Sequence, residues 1–218
     1  MLKRLIVVLL SACATLSAAP EAVIFDFGGV MTGQPKRDAV VHFICTTFHL
    51  TPDAFEKVNQ EKKQAVKSGK TDLEFWLSYA QKNNVQLPKD WAQNFQTTLK
   101  DAIGVNPQMY ALVDQLKKQG VQVGLLSNID NRLAKIIKDF GFYEPFNPCL
   151  LSCEIGAEKP DPKIYQHLLD QLEISAGNVV FIDDKKENIE AAKKLGFDAI
   201  LFTSHAELEK ALKIRELM

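Results

Sequence analysis

Val23-Ile24-Phe25-Asp26-Phe27-Gly28-Gly29-Val30 reads as a buried-type strand that ends on a carboxylate and opens into a glycine pair. Three further segments follow in order: Val123-Gly124-Leu125-Leu126-Ser127-Asn128, Ala157-Glu158-Lys159-Pro160-Asp161 and Val179-Val180-Phe181-Ile182-Asp183-Asp184. Together they supply a carboxylate, a hydroxyl, an ammonium and a pair of carboxylates. These are the parts a magnesium-dependent phosphoryl-transfer site needs, and an open parallel sheet gathers its strand ends into one crevice.

Outward from these segments the chain alternates. Strands are predicted at residues 22–27, 121–126, 147–152, 178–182 and 199–202. Between them Asn106-Pro107 opens a helix that stops at Gly120, and a helix over 131–140 ends at Gly141. Asp161-Pro162 caps the next, residues 185–195 form one closed by Gly196, and Ser204-His205-Ala206-Glu207 caps the last. Strand and helix in alternation require crossovers, so the fold class is α/β: a Rossmann-like parallel sheet with helices on both faces. From about residue 35 to 103 the periodicity is helical only. Thr51-Pro52-Asp53 starts one helix, Thr71-Asp72-Leu73-Glu74 is a capping box, and Pro88 punctuates before another. Three or four helices are thus inserted into the α/β unit. The expected division is 20–32 with 104–218 as the core and 33–103 as the insert.

Each site residue has an ordinary reading beside a chemical one. Asp26 is a common turn residue, yet a carboxylate there can attack phosphorus and form an acyl phosphate. Gly28 and Gly29 remove side chains, so backbone N–H groups can approach a phosphate. Ser127 and Asn128 after a strand are usual turn chemistry, or a hydroxyl and amides for phosphate oxygens. Lys159 is a loop lysine, or the cation that neutralises nucleophile and phosphate. Asp183-Asp184 is a helix N-cap, or two repelling carboxylates that a Mg²⁺ bridging to Asp26 would relieve.

Jointly the four segments resemble the haloacid dehalogenase superfamily, in its helical-cap branch of phosphatases and dehalogenases. Phe25-Asp26-Phe27-Gly28-Gly29-Val30 is similar to the nucleophile motif and Leu126-Ser127-Asn128 to the second motif. Glu158-Lys159-Pro160-Asp161-Pro162 with Ile164-Tyr165 resembles the lysine motif, and Phe181-Ile182-Asp183-Asp184 with Glu187-Asn188-Ile189 the acidic metal motif. The resemblance makes residues 33–103 an α-helical cap that closes over substrate. It implies Asp26 as nucleophile and Mg²⁺ ligand, the Gly28 carbonyl and Asp184 as direct ligands, and Asp183 as a ligand through a metal-bound water. Ser127 and Lys159 would hold the phosphoryl group, with Gly28, Gly29 and Asn128 lining its site. The implied reaction is hydrolysis of a small phosphomonoester, such as a sugar phosphate, with a small phosphorylated metabolite as the partner. The departure is Gly28, where many family phosphatases carry an acid/base Asp; His42 is a substitute proton donor in the cap. Two alternatives follow from it: a metal-independent 2-haloacid dehalogenase, or a non-catalytic relic that binds phosphorylated ligands.

Composition bounds the rest. The 218 residues carry 46% hydrophobic and 24% charged side chains, enough for one core with a modest insert. A formal charge of −1 and the absence of a basic stripe interleaved with aromatics give nucleic-acid binding no support. Lys3-Arg4, the apolar run 5–10 and small residues through Ala19 form a signal-peptide layout, with Leu16-Ser17-Ala18 as a cleavage candidate. Export to the periplasm or outside is the expectation, cytoplasmic residence the alternative. The run is too short to span a bilayer. Leu10-Ser11-Ala12-Cys13 resembles a lipoprotein box, which would anchor a lipid at Cys13. Cys149 and Cys153 are expected on one strand about 13 Å apart, beyond disulfide reach, and with Cys45 are read as free thiols. His49, His167 and His205 show no ligand-like spacing.

Overall fold

A computed structural model of the chain describes residues 19–33 and 36–218. Of the expected leader, residues 1–19, all but Ala19 lie outside the described residues, Cys13 among them. Five strands form one sheet: β1 (Ala22–Phe25), β2 (Gln122–Ser127), β3 (Cys149–Leu151), β4 (Val179–Asp183) and β5 (Asp198–Leu201). All pairings are parallel and the spatial order is β3-β2-β1-β4-β5. The chain starts in the middle, builds outward through β2 and β3, then returns to the other side of β1. That reversal opens a crevice at the carboxyl ends of the central strands.

Ten helices accompany the sheet among the described residues. Four precede β2 as an insert: α1 (Arg37–Phe48), α2 (Pro52–Lys67), α3 (Asp72–Lys82) and α4 (Trp91–Ile103). The others are α5 (Pro107–Lys118), α6 (Asn131–Asp139), α7 (Ser152–Ile155), α8 (Pro162–Leu172), α9 (Lys186–Lys194) and α10 (His205–Ile214). Period-two alternation in β1 decides which helices go where. Val23 and Phe25 pack with Met109, Leu112 and Leu116 of α5 and with Leu208 and Leu212 of α10. Ala22 and Ile24 face Ile164, Tyr165 and Leu168 of α8 and Ile189 of α9. Both faces are buried, which is why these strands read as unbroken apolar runs.

The insert has a core of its own, built on Ile44, Phe48, Trp76, Trp91 and Phe95. Trp91 and Phe95 stack with ring centroids 5.3 Å apart, and Phe48 lies 5.3 Å from Trp76. The Thr71–Glu74 capping box is formed in both directions: the Glu74 N–H donates to Thr71 Oγ1 at 3.1 Å and the Thr71 N–H to Glu74 Oε2 at 2.7 Å. Entry and exit run side by side. Thr32 bridges Val105 in antiparallel fashion, and the Gly33 N–H donates to the Gly104 carbonyl at 2.8 Å.

Two expectations are corrected. The first strand stops at Phe25, not at residue 27. Asp26 still donates its N–H to Ile182 at 2.8 Å, but the backbone then winds through one wide turn, Phe27–Met31, with Gly29 at φ +80°. The third strand is only Cys149–Leu151, because Ser152 opens α7; Cys149 and Cys153 therefore do not share a strand. Cys45, Cys149 and Cys153 are free thiols. No helix among the described residues is long and apolar enough to cross a membrane.

Candidate active site

Register brings the reactive residues together. Phe25 lies opposite Leu125 on one side and Ile182 on the other, so the next step of the ladder aligns Asp26 with Leu126 and Asp183. Across those three strand ends lies the ammonium of Lys159. It donates to Asp26 Oδ1 at 2.6 Å, to Asp183 Oδ2 at 2.7 Å and to the Leu126 carbonyl at 2.7 Å. An ammonium has three N–H donors and all are engaged. Lys159 is 4% exposed and Asp183 fully buried, so these charge-assisted bonds act away from bulk water.

Lys159 is itself held by a residue 31 positions earlier. Asn128 Nδ2 donates to the Lys159 carbonyl at 2.7 Å, and the Lys159 N–H donates to Asn128 Oδ1 at 2.8 Å. The Asn128 side chain thus clamps the lysine loop through one Nδ2–H and its Oδ1. Ser127 ends β2, buried beside this clamp.

Asp183 is saturated. Its Oδ1 accepts from the Lys185 N–H at 2.9 Å, and Asn188 Nδ2 reaches both oxygens at 3.0 Å. Tyr165 in turn donates to the Asn188 carbonyl at 3.0 Å. Asn188 is the residue the sequence reading left without a role. It stands in the first turn of α9, and its signal was its place in the Glu187-Asn188-Ile189 part of the acidic motif, five residues after Asp183.

Asp184 is exposed and turns over the glycine pair. A Cβ on Gly29 would lie 2.2 Å from Asp184 Oδ2, whereas one on Gly28 would meet nothing within 4 Å. The Gly29 N–H also donates to Thr32 Oγ1 at 3.2 Å, which pins the turn. Gly29→Ala is therefore expected to destabilise by about 1–3 kcal/mol and to displace Asp184, because positive φ and a steric clash coincide. Gly28→Ala should stay within about 0.5 kcal/mol of wild type. Urea denaturation of both variants checks this, and equal midpoints for the two would refute the packing described.

The electrostatics follow from two buried carboxylates around one ammonium. Burial pushes the Asp26 carboxyl up to about 6; Lys159 pulls against that and Asp183 adds to it. Asp184 is also raised, by burial and then by Asp183. Oxygens of Asp26, Asp183 and Asp184 lie within 4.8 Å of one another. An all-oxygen, net-negative donor set at that spacing fits a hard divalent cation. Since Asp183 already accepts four hydrogen bonds, the oxygens better placed for direct ligation are those of Asp26 and Asp184. Gly28, whose carbonyl is a further expected ligand, lies exposed in the turn, and His42 is exposed on α1.

Comparison with known proteins agrees with this geometry. The chain is 29% identical over 209 residues to the sesquiterpene phosphatase astK of Aspergillus oryzae, covering 94% of this chain and 98% of the fungal one. It is 30% identical over 95 residues to (S)-2-haloacid dehalogenase 4A of Burkholderia cepacia, covering 43% of this chain and 41% of that one. Its fold is similar to that of the magnesium complex of the HAD family enzyme bt-2542 from Bacteroides thetaiotaomicron, with a TM-score of 0.53 and 19% identity over 88% of this chain and 99% of that one. The family model described as haloacid dehalogenase-like hydrolase matches residues 20–196. A match of that extent makes the chain a member of the haloacid dehalogenase-like hydrolase family.

Proposed function

We propose that this hydrolase is a Mg²⁺-dependent phosphatase acting on a small phosphomonoester. The observation that carries the reading is the oxygen cluster of Asp26, Asp183 and Asp184 beside a single buried ammonium. Two carboxylates around Lys159 leave a buried excess of negative charge, and a divalent cation with a phosphate needs such a site. Mg²⁺, when bound by Asp26 and Asp184, would supply charge neutralisation of the phosphoryl oxygens. A carboxylate oxygen of Asp26 attacks phosphorus, the ester P–O bond breaks, and the departing alkoxide takes a proton from water. A water then attacks the same phosphorus, inorganic phosphate leaves, and the Asp26 carboxylate is restored. Lys159 holds Asp26 in one orientation throughout. A phosphoryl oxygen contacting that ammonium must displace one of its three present acceptors.

The rival reading, hydrolysis of a 2-haloacid, draws on the dehalogenase relative and on Gly28, since halide leaves without a proton. Against it stands the acidic cluster, which carbon–halogen displacement by a lone carboxylate does not require. The phosphatase relative also spans nearly the whole chain. Its name joins phosphate to an apolar terpenoid; the cleft of about 740 Å³ between the insert and α6, with Val66, Leu73, Leu99, Ile136 and Phe140 in its wall, is lined by none of Asp26, Ser127, Lys159, Asp183 and Asp184, so the name alone supports an apolar substrate. The substrate panel should therefore include isoprenoid monophosphates beside sugar phosphates. Phosphate release is expected with Mg²⁺ and at least ~10²-fold less after EDTA. Metal-indifferent turnover, or halide release from a 2-haloacid, overturns the proposal.

We also propose that the chain is exported, from the layout of residues 1–19. Mass spectrometry of the natively expressed N-terminus is expected to show a start near residue 20; an intact Met1 removes the idea.

A further inference from the structure

The insert and the core bury separate apolar clusters; Ile103 of α4 packs on the core and the Lys100 ammonium lies 5.5 Å over the Phe142 ring, and one buried carboxylate outside the active centre adds an ion pair between the two. Asp72, the first residue of α3, is 7% exposed. Lys62 of α2 donates to its Oδ2 at 2.9 Å. From the core, Arg132 of α6 donates twice, Nε to Oδ1 at 3.3 Å and Nη2 to Oδ2 at 3.2 Å. Among the described residues this is the one ion pair that crosses from insert to core. At the far end of the insert the crossing is backbone pairing around Thr32 and Val105, the arrangement of a two-stranded hinge.

We propose that Asp72 is the positioning residue of the insert: paired with Arg132 it holds the insert against the core, and paired with Lys62 alone it lets the insert open. The inequality of its two partners carries the argument. Lys62 travels with Asp72, since both belong to the insert, and its side chain is only 12% exposed. Arg132 stays with the core and its side chain is 45% exposed, so it rehydrates readily on release. A buried carboxylate stripped of all partners is strongly destabilising. Lys62 spares Asp72 that state, and the closed and open arrangements are left close in free energy. Without Lys62, opening would strand the charge.

Arg132 is also tied to the catalytic crevice. Asp130 caps α6, accepting from the Arg132 and Leu133 N–H groups at 3.0 Å each. The Ile129 N–H donates to Ser152 Oγ at 2.9 Å, and Asn128 is clamped to Lys159. The guanidinium thus starts from a rigid turn that also carries Ser127. Closure through Asp72 sets where the insert stands relative to the core, and Asp72 and Arg132 both line the apolar cleft.

The test is hydrogen–deuterium exchange of the full chain, comparing wild type with Arg132→Gln and Lys62→Met. Arg132→Gln removes the crossing pair only, and exchange at the start of α3 and along α6 is expected to rise about three- to fivefold, the range of a partly exposed pair. The wild-type exchange rate should rise with salt and that of the variant should not. Lys62→Met removes the fallback partner, and opening exchange is expected to fall about tenfold. Opposite signs are the signature, since a merely structural loss would loosen both variants. Equal changes in the two, or none in either, overturn the latch. Exchange needs no substrate, so a chain inactive on every phosphomonoester would sink the phosphatase reading and leave this one to be judged by its own result.

Discussion

Asp26→Asn is expected to lower phosphate release by at least ~10⁴-fold while leaving the chain as stable as wild type or more so. The activity loss follows from role: an amide oxygen does not displace an alkoxide from phosphorus, and removing a covalent nucleophile costs on that order or more. The stability gain follows from sign. The folded-state carboxyl sits near 6, above its ordinary range near 4, because burial disfavours the charged form. In that window the folded chain holds a proton that the unfolded chain has already lost. Stability is therefore lost as pH rises from about 4 to 6, and by neutral pH the charge on Asp26 costs on the order of 2–3 kcal/mol. Asparagine removes the charge, keeps the size, and leaves Lys159 paired with Asp183 and Leu126. The check is urea denaturation in EDTA at pH 8 and pH 4.5, beside a phosphate-release assay with Mg²⁺. The variant's advantage should shrink at the lower pH. Surviving turnover removes Asp26 from the chemistry, and a large destabilisation at pH 8 contradicts the charge balance described.

How much of this was readable from the chain depends on the range over which each signal acts. Local signals carried well: the Thr71 capping box forms in both directions, Asn106 caps the helix that Pro107 begins, and the apolar runs became the central strands. Helix α1 opens without a side-chain cap, so nothing marked its start. The turn after Asp26 hid inside an apolar run, because Phe27, Val30 and Met31 are buried as deeply as a strand would be. Hydrophobicity reports burial and not dihedral angle. The site was legible as residue types, since a carboxylate at a strand end and a lysine in a loop are visible in order. Its wiring was not. Asn128 meets Lys159 across 31 residues and Asp72 meets Arg132 across 60, and no periodicity encodes a hydrogen bond at that separation.

Lys159→Met should be the most destabilising single change in the molecule, by about 3–5 kcal/mol in metal-free buffer at pH 8. Methionine matches the length of the stem, so packing beside the Phe181 ring, over which the ammonium now sits at 5.6 Å, is largely kept. What disappears is, among the described residues, the one cation between Asp26 and Asp183, and the Leu126 carbonyl loses its donor as well. Arginine is not expected to rescue: three acceptors surround one nitrogen, and a planar fork of five donors cannot converge on them from the same point. The deficit should shrink as the medium is acidified. Asp26, already raised by burial, then loses the ammonium that pulls its pKa down and binds its proton more tightly in the folded chain than in the unfolded one, so stability is recovered as pH falls through its raised range. Mg²⁺ should recover part of it at pH 8, and raise the Tm of the variant more than that of wild type, because the ion then offsets a larger buried negative charge. A variant as stable as wild type in EDTA, or one indifferent to both acid and Mg²⁺, would mean that the ammonium is not what balances the two carboxylates. The same balance explains why one residue serves two ends. A lysine that only stabilised the fold could be replaced by apolar packing together with its partners, but here the partners include the proposed nucleophile, so on that reading the charge must be kept and neutralised in place.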